Sequence, residues 1–156
     1  MIPNGIDPDD LQPLGDLPRL RARFAKPDEK LVLLVGRLVY EKGFHLALDA
    51  LPGLIERLGN VRFLVAGSGT AEAELKGQAE RLGLMEHGAF AGWTGDDELH
   101  SLYRIADLCL VPSIYEPFDQ TGQRVEREVE ALLVDEPADE QHELLAGLGI
   151  ARAQTR

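Results

Sequence analysis

The sequence predicts an α/β fold, a doubly wound parallel sheet with helices on both faces. This prediction rests on four short apolar runs, on the helical patterns between them, and on a glycine or proline near the end of each run. The runs are KLVLLVGR (30–37), VRFLVAG (61–67), GAFAG (88–92) and DLCLVPS (107–113). A strand that is apolar along its length is typical of a parallel sheet covered on both faces. Strands that alternate with helices are connected by right-handed crossovers.

Helical periodicity fills the three intervals between these runs. In residues 43–58 the apolar positions recur at spacings of three and four, and Gly59-Asn60 ends the pattern. Residues 71–82 show the same spacing. In the third interval Thr94 and Asp97 have the spacing of a capping box, so we expect Thr94 to cap a third helix.

Composition divides the chain into three segments. Residues 1–30 contain five prolines and are predicted to form a linker, or hinge, and an entry segment. Residues 31–118 hold the apolar runs and are predicted to form the α/β domain, which is incomplete. Residues 119–156 carry nine acidic and four basic residues and form a divergent acidic tail.

The sequence of the acidic tail is compatible with more than one secondary structure. Residues 123–133 fit a helix, whereas residues 132–148 fit equally a strand, a turn and a helix. Between these alternatives, we expect the tail to be mostly helical. The last apolar run lies at an edge of the predicted sheet, so either the tail covers that edge or an exposed apolar surface there favours self-association.

Charge and cysteine content narrow the classes of partner. Sixteen basic and 27 acidic residues give a formal net charge of −11, which disfavours nucleic acid and anionic lipid surfaces. The single cysteine, Cys109, lies in an apolar run and is expected to be a buried core residue, so no disulfide is predicted. No segment is long and apolar enough to span a membrane and the start carries no leader pattern, so we expect a cytoplasmic protein. The four histidines have no metal-ligand spacing.

Ligands of doubly wound sheets bind beyond the carboxyl ends of the strands. The loop 36–43 places Arg37 and Lys42 between a strand and a helix, where backbone N–H groups, the positive helix end and two cations suit a diphosphate. Taken singly, both cations also fit a solvated surface. The loop is not the GxGxxG fingerprint, so a nicotinamide cofactor is disfavoured.

Two further loops at this edge carry candidate binding residues. Gly67 and Gly69 follow the second strand, where they allow either a close approach of backbone to a ligand or a plain tight turn. In the last loop Glu116 precedes Pro117 and Phe118, and its carboxylate suits hydrogen bonds from sugar hydroxyls.

Five blocks of the sequence together resemble the retaining GT-B glycosyltransferases of family 4, also called glycosyl transferases group 1. The blocks are NGID (4–7), VGRLVYEKG (35–43), FLVAGSG (63–69), FAGW (90–93) and LYRIADLCLVPSIYEPF (102–118). The resemblance implies a hexosyltransferase with two Rossmann-like domains, of which the carboxyl-terminal one holds the nucleotide sugar. Residues 31–118 match that domain, with a UDP-, GDP- or ADP-sugar as donor.

The resemblance also implies roles for individual residues. Arg37 and Lys42 match the pair that stabilises the departing diphosphate, and Glu116 matches the first Glu of the family's E-x7-E motif, which binds the donor sugar. The loop at Gly92 and Trp93 matches the region that meets the base, largely through backbone, so we expect the Trp93 side chain to pack rather than to read the base. Asn4 and Gly5 match the interdomain hinge. No cofactor or bound metal is implied.

The resemblance weakens after residue 118. Asp119 stands where the family has glycine, and Arg124 stands where the second Glu of the motif would hold the ribose. Residues 130–145 faintly resemble the family's final strand and following helix, but the separation from Glu116 is too short; an internal deletion, a change of reading frame or chance accounts for this. We therefore expect a truncated donor-binding fragment that is inactive alone. Two alternatives remain open: an interaction module that completes a separately encoded acceptor domain, and a structural remnant without a ligand.

Overall fold

The computed structural model describes residues 15–114 and the backbone of residues 130–133. Within these residues the chain forms one five-stranded sheet. Its strands are β1 (Lys30–Val35), β2 (Val61–Ala66), β3 (Gly88–Gly92), β4 (Leu108–Val111) and β5 (Glu130–Leu133). The strand order is β3-β2-β1-β4-β5, with β1 to β4 parallel and β5 antiparallel to β4. The predicted α/β class with a parallel sheet is confirmed.

Three of the four described helices occupy the intervals that the periodicity predicted, and the first lies in the segment predicted to be a linker and entry segment. The helices are α1 (Leu17–Arg21), α2 (Phe44–Leu58), α3 (Glu72–Arg81) and α4 (Asp96–Ile105), with 3₁₀ turns at Tyr40–Lys42 and Leu84–Glu86. Gly59 ends α2 in a conformation with φ of 76°, as the Gly59-Asn60 pair indicated. None of the described helices is long and apolar enough to cross a membrane.

Each face of the sheet has its own apolar core, because successive strand residues point to opposite sides. On one face Val32, Leu34 and Phe63 pack against α2 and α3. On the other face Leu31 and Leu33 pack with residues of α1 and α4. Helices on both faces explain why β1 and β2 are apolar along most of their length.

The predicted capping box at the start of α4 is wrong. The N-cap residue is Gly95, and no side chain makes a capping hydrogen bond there. The first turn instead contains Asp96, Asp97 and Glu98. These carboxylates interact favourably with the positive amino end of the helix, so local charge replaces the cap that the spacing suggested.

The expectation of a helical tail is wrong at residues 130–133, which form β5. In this strand Glu130 pairs with Val111 and Leu133 pairs with Leu108. The open edge of β4 offers backbone partners that satisfy the N–H and C=O groups of an incoming segment, and this tertiary pairing outweighs an ambiguous local preference. Of the two possibilities for the sheet edge, the tail therefore covers it.

Candidate functional site

The loops at the carboxyl edge of the sheet are joined to one another by backbone hydrogen bonds. The Leu38 N–H donates to the Ser68 carbonyl at 3.0 Å, and the Ala71 N–H donates back to the Leu38 carbonyl at 2.8 Å. One strand further out, the Gly67 N–H donates to the Gly92 carbonyl at 2.6 Å. The ends of β1, β2 and β3 thus form one continuous surface.

Gly67 and Gly69 are required by this loop-to-loop packing. Gly67 has φ of 142°, and a Cβ atom on it would overlap the carbonyl oxygen of Gly36. A Cβ on Gly69 would overlap the backbone of Leu38. Only glycine lets the two loops approach so closely. Close backbone packing between loops therefore explains both glycines.

Gly43 joins the first loop to the end of β4. It adopts a left-handed conformation with φ of 65°, and a Cβ there would overlap the Pro112 carbonyl oxygen. Nearby, the Ile114 N–H donates to the Glu41 carbonyl at 2.8 Å. The sequence reading treated Gly43 only as the start of a helix. No local pattern signals this contact, because Pro112 lies far from Gly43 along the chain.

Arg37 and Lys42 both lie in the loop that follows β1. Arg37 is exposed, and Lys42 is half-buried in the 3₁₀ turn that leads into α2. Helix α2 begins at Phe44, so its amino end lies at the same edge of the sheet as the two cations. The positive helix end and two cationic side chains on one loop are an arrangement that stabilises an anion.

Trp93 is the only tryptophan in the chain and follows β3 directly. Its side chain is 76% exposed, so the expectation that it packs is wrong. β3 and β1 are separated by one strand, which places the two strand ends roughly 10 Å apart. The exposed indole and the cationic loop therefore lie at the same edge of the sheet.

Several predicted site residues lie outside the described residues. Among these are Glu116, Pro117 and Phe118, together with Asn4, Gly5 and Arg124. Their predicted roles therefore stay predictions. The described part of the last loop ends at Ile114, which is held to the Glu41 carbonyl of the first loop.

Two titratable groups of the described residues have a raised pKa, and both are neutral at pH 7. Burial raises the pKa of the Cys109 thiol to about 11, and burial together with the nearby Cys109 raises the pKa of Tyr103. A thiol held neutral is a poor nucleophile. Cys109 acts as a core residue, and no group of three or more potential metal ligands occurs among the described residues.

The fold and the loop geometry define a Rossmann-like domain in which the loop after β1 carries two cationic residues, Arg37 and Lys42. A family model described as glycosyl transferases group 1 matches residues 18–118. Because this match covers more than half of the chain, the protein belongs to that family.

Individual relatives agree with this assignment. The mannosylfructose-phosphate synthase of Agrobacterium fabrum is 37% identical over 132 residues, which cover 78% of this chain and 29% of the synthase. An uncharacterized glycosyltransferase of Methanocaldococcus jannaschii is 41% identical over 91 residues, 58% of this chain and 23% of the relative. The chain thus spans less than a third of the length of these relatives.

A solved structure with a bound nucleotide sugar has the same fold. The crystal structure of HepE from Anabaena in complex with UDP-glucose superposes with a TM-score of 0.62 and 28% identity. The match covers 75% of this chain and 33% of HepE. It supports a Rossmann-like domain of the kind found in glycosyltransferases that bind nucleotide sugars.

Proposed function

We propose that residues 31–118 form the donor-binding half of a retaining hexosyltransferase. In this proposal the chain holds the diphosphate and the sugar of a nucleotide-sugar donor, and the 156-residue polypeptide alone does not transfer the sugar. The observation that carries the proposal is the loop after β1, where Arg37 and Lys42 lie beside the amino end of α2.

The chemistry of this loop is electrostatic. When a glycosidic bond to a nucleoside diphosphate breaks, negative charge develops on the leaving phosphate. Two fixed cations and a helix end oriented towards that charge stabilise it without needing to reorganise. We propose that Arg37 and Lys42 supply this stabilisation, so binding of the diphosphate needs no metal ion.

The glycine-containing loops after β2 and β3 extend the proposed site away from the diphosphate. Gly67, Gly69 and Gly92 leave backbone exposed between the first loop and β3, and the exposed Trp93 stands at the far end. The roughly 10 Å between the ends of β1 and β3 suits a nucleoside diphosphate laid across the sheet, with its base at Trp93. Which base binds is part of the proposal, and UDP is the first candidate because HepE was solved with UDP-glucose.

The sugar end of the proposed site rests on the resemblance. Glu116 is proposed to accept hydrogen bonds from the donor sugar, and Pro117 and Phe118 are proposed to shape the same loop. The described neighbour Ile114 is anchored to the Glu41 carbonyl, so the loop leaves the sheet beside Lys42. Ile114, the last described residue of this loop, thus lies next to the loop that carries the proposed diphosphate site.

The proposed lack of transfer by the chain alone follows from the share of the relatives that it matches. Residues equivalent to this chain make up 29% of the mannosylfructose-phosphate synthase. Transfer requires an acceptor that is held in line with the donor and shielded from water. In this proposal the matched part of the chain supplies only the donor side of such a site.

Tryptophan fluorescence offers a direct test, because Trp93 is the only tryptophan. Titration of the chain with UDP, GDP, ADP and UDP-glucose, followed by fluorescence and by calorimetry in EDTA, should show saturable binding in the micromolar to millimolar range. Inorganic pyrophosphate should compete for the diphosphate site without stacking on the indole.

Matched variants locate the binding site. Arg37→Ala and Lys42→Ala should each weaken nucleotide binding by about tenfold, whereas Arg104→Ala removes an equal charge from the exposed surface of α4 and should leave it unchanged. Absence of heat and of any fluorescence change at millimolar nucleotide would favour a structural remnant. Transfer activity that appears only with a separately produced acceptor domain would favour the interaction module.

A further inference from the structure

A cavity of about 350 Å³ lies between α2 and α3 on one face of the sheet. Neither Arg37 nor Lys42 lines it, so it is distinct from the proposed diphosphate site. Its volume lies at the lower end of the roughly 300–1,000 Å³ that small-molecule sites occupy, which suits one or two sugar rings.

The cavity combines an apolar floor with polar walls. Phe44 and Leu75 form part of the floor and are buried in the core. On the walls, the Gln78 side-chain amide donates to the Asp49 carboxylate at 2.7 Å and to the His45 carbonyl at 2.9 Å. These two bonds join α3 to α2 and fix two wall residues before any ligand arrives, which lowers the entropic cost of binding.

An exposed aromatic ring stands at one end of the cavity. Tyr40 is 69% exposed, and its ring stacks on His45 with the centroids 4.9 Å apart and the planes at 14°. The stack holds Tyr40 in place from one side, so a firmly placed aromatic face is available to a flat, partly apolar partner.

The charges around the cavity identify the class of ligand. Asp49, Glu74 and Arg81 line it, which gives two carboxylates against one guanidinium. This balance disfavours a phosphate or another strong anion. Carboxylates, an amide and a guanidinium around an aromatic face provide acceptors and donors for hydroxyl groups, while the ring covers the apolar C–H face of a pyranose.

We propose that the α2–α3 cavity is a second, non-catalytic site for a neutral saccharide of one or two rings. In it the ring of Tyr40 covers one sugar face, and Asp49, Glu74 and Arg81 bind hydroxyl groups. The proposal does not rest on the donor site, because the two sites share no residue named in either argument.

The test is a titration of the ¹⁵N-labelled full chain, followed by NMR, with maltose, cellobiose and methyl α-mannopyranoside. At least one of the three should shift amide signals of residues 45–49 and 74–82 saturably, with a dissociation constant in the millimolar range. The same shifts should appear when UDP is present at saturation. Nucleotide binding and saccharide binding are thus read separately, so failure of the donor site does not affect this result.

Variants on the cavity wall complete the test. Tyr40→Ala and Arg81→Ala each alter an exposed side chain and should weaken saccharide binding by about fivefold or more without lowering thermal stability. Arg104→Ala, an exposed residue outside the cavity, is the control and should bind as the parent chain does. The proposal is overturned if none of the three saccharides shifts these signals at tens of millimolar, if shifts occur only in the loops 36–43 and 67–70, or if Tyr40→Ala and Arg81→Ala bind unchanged.

Discussion

The amino and carboxyl ends of the parallel strands, called here the amino edge and the carboxyl edge of the sheet, are stabilised by different contacts. At the amino edge, the Arg21 guanidinium donates to the Asp107 carboxylate at 2.8 Å, to the Glu29 carbonyl at 2.8 Å and to the Ile105 carbonyl. The same carboxylate accepts the Leu31 N–H at 2.6 Å. At the carboxyl edge, backbone groups and glycines make the contacts, and Arg37 is exposed there.

This difference separates stability from binding. A largely buried charged side chain with more than one hydrogen-bond partner stabilises the fold, as Asp107 does between α1, β1 and β4. A charged side chain left in solvent contributes little to stability and remains available to a ligand. The carboxyl edge is held together by backbone packing, and the Arg37 side chain is exposed there.

The largest expected effect comes from adding one methyl group at the carboxyl edge. Gly43→Ala should lower the free energy of unfolding by about 3 kcal/mol, because the left-handed conformation costs roughly 1 kcal/mol and the overlap with the Pro112 carbonyl adds about 2. Gly83→Ala is the matched control, since its φ of 69° is nearly the same and no atom lies within 4 Å of the added group. Urea denaturation measures both. Equal losses in the two variants would show that loop packing at this edge contributes little.

Removal of the carboxylate at the amino edge should have the next largest effect. Asp107→Ala leaves Arg21 and the Leu31 N–H without their shared acceptor and should cost about 2 kcal/mol of unfolding free energy. Nucleotide affinity of the folded variant should not change, because Asp107 lies at the opposite edge. Glu72→Gln, which breaks the more exposed Lys76–Glu72 pair, should cost about 0.5 kcal/mol. A matching fall in nucleotide affinity for Asp107→Ala would contradict the separation of the edges.

The centre of β4 offers a pH-dependent test. Burial raises the pKa of Cys109 to about 11 from an ordinary value of 9.0, so the fold favours the neutral thiol. This contribution is complete below pH 9.0 and is lost as the pH rises towards about 11, by up to about 2 kcal/mol. The stability advantage of the parent chain over Cys109→Ala should therefore shrink over this range in chemical denaturation. A pH-independent difference would mean that the thiol ionises freely in the folded chain.

The smallest expected effect on stability belongs to the exposed cation. Arg37→Ala should change the free energy of unfolding by no more than about 0.5 kcal/mol while nucleotide binding falls by about tenfold. Thermal melts with and without UDP measure both quantities on one sample, and the shift of the melting temperature by UDP should be smaller in the variant. A large loss of stability without nucleotide would place Arg37 in the structural framework instead.

The elements of the fold that depend on local pattern were predictable. Apolar runs became β1 to β4, and the three-and-four spacing became α2 and α3. The cap of α4 was not predictable, because a spacing such as that of Thr94 and Asp97 permits a capping bond without requiring one. The exposure of the Trp93 indole could not be predicted either, because it depends on whether neighbouring elements cover the side chain.

The sequence by itself determined the order of strands and helices, the family, and the loop that carries Arg37 and Lys42, because these depend on periodicity and on motifs contiguous in the chain. The tertiary structure decided which loops touch. The contact of Gly67 with Gly36 joins residues far apart in the chain, and the pairing of β5 with β4 was one of several locally permitted outcomes. Such contacts depend on which backbone groups remain unpaired once the sheet has formed, and that is a property of the assembled fold.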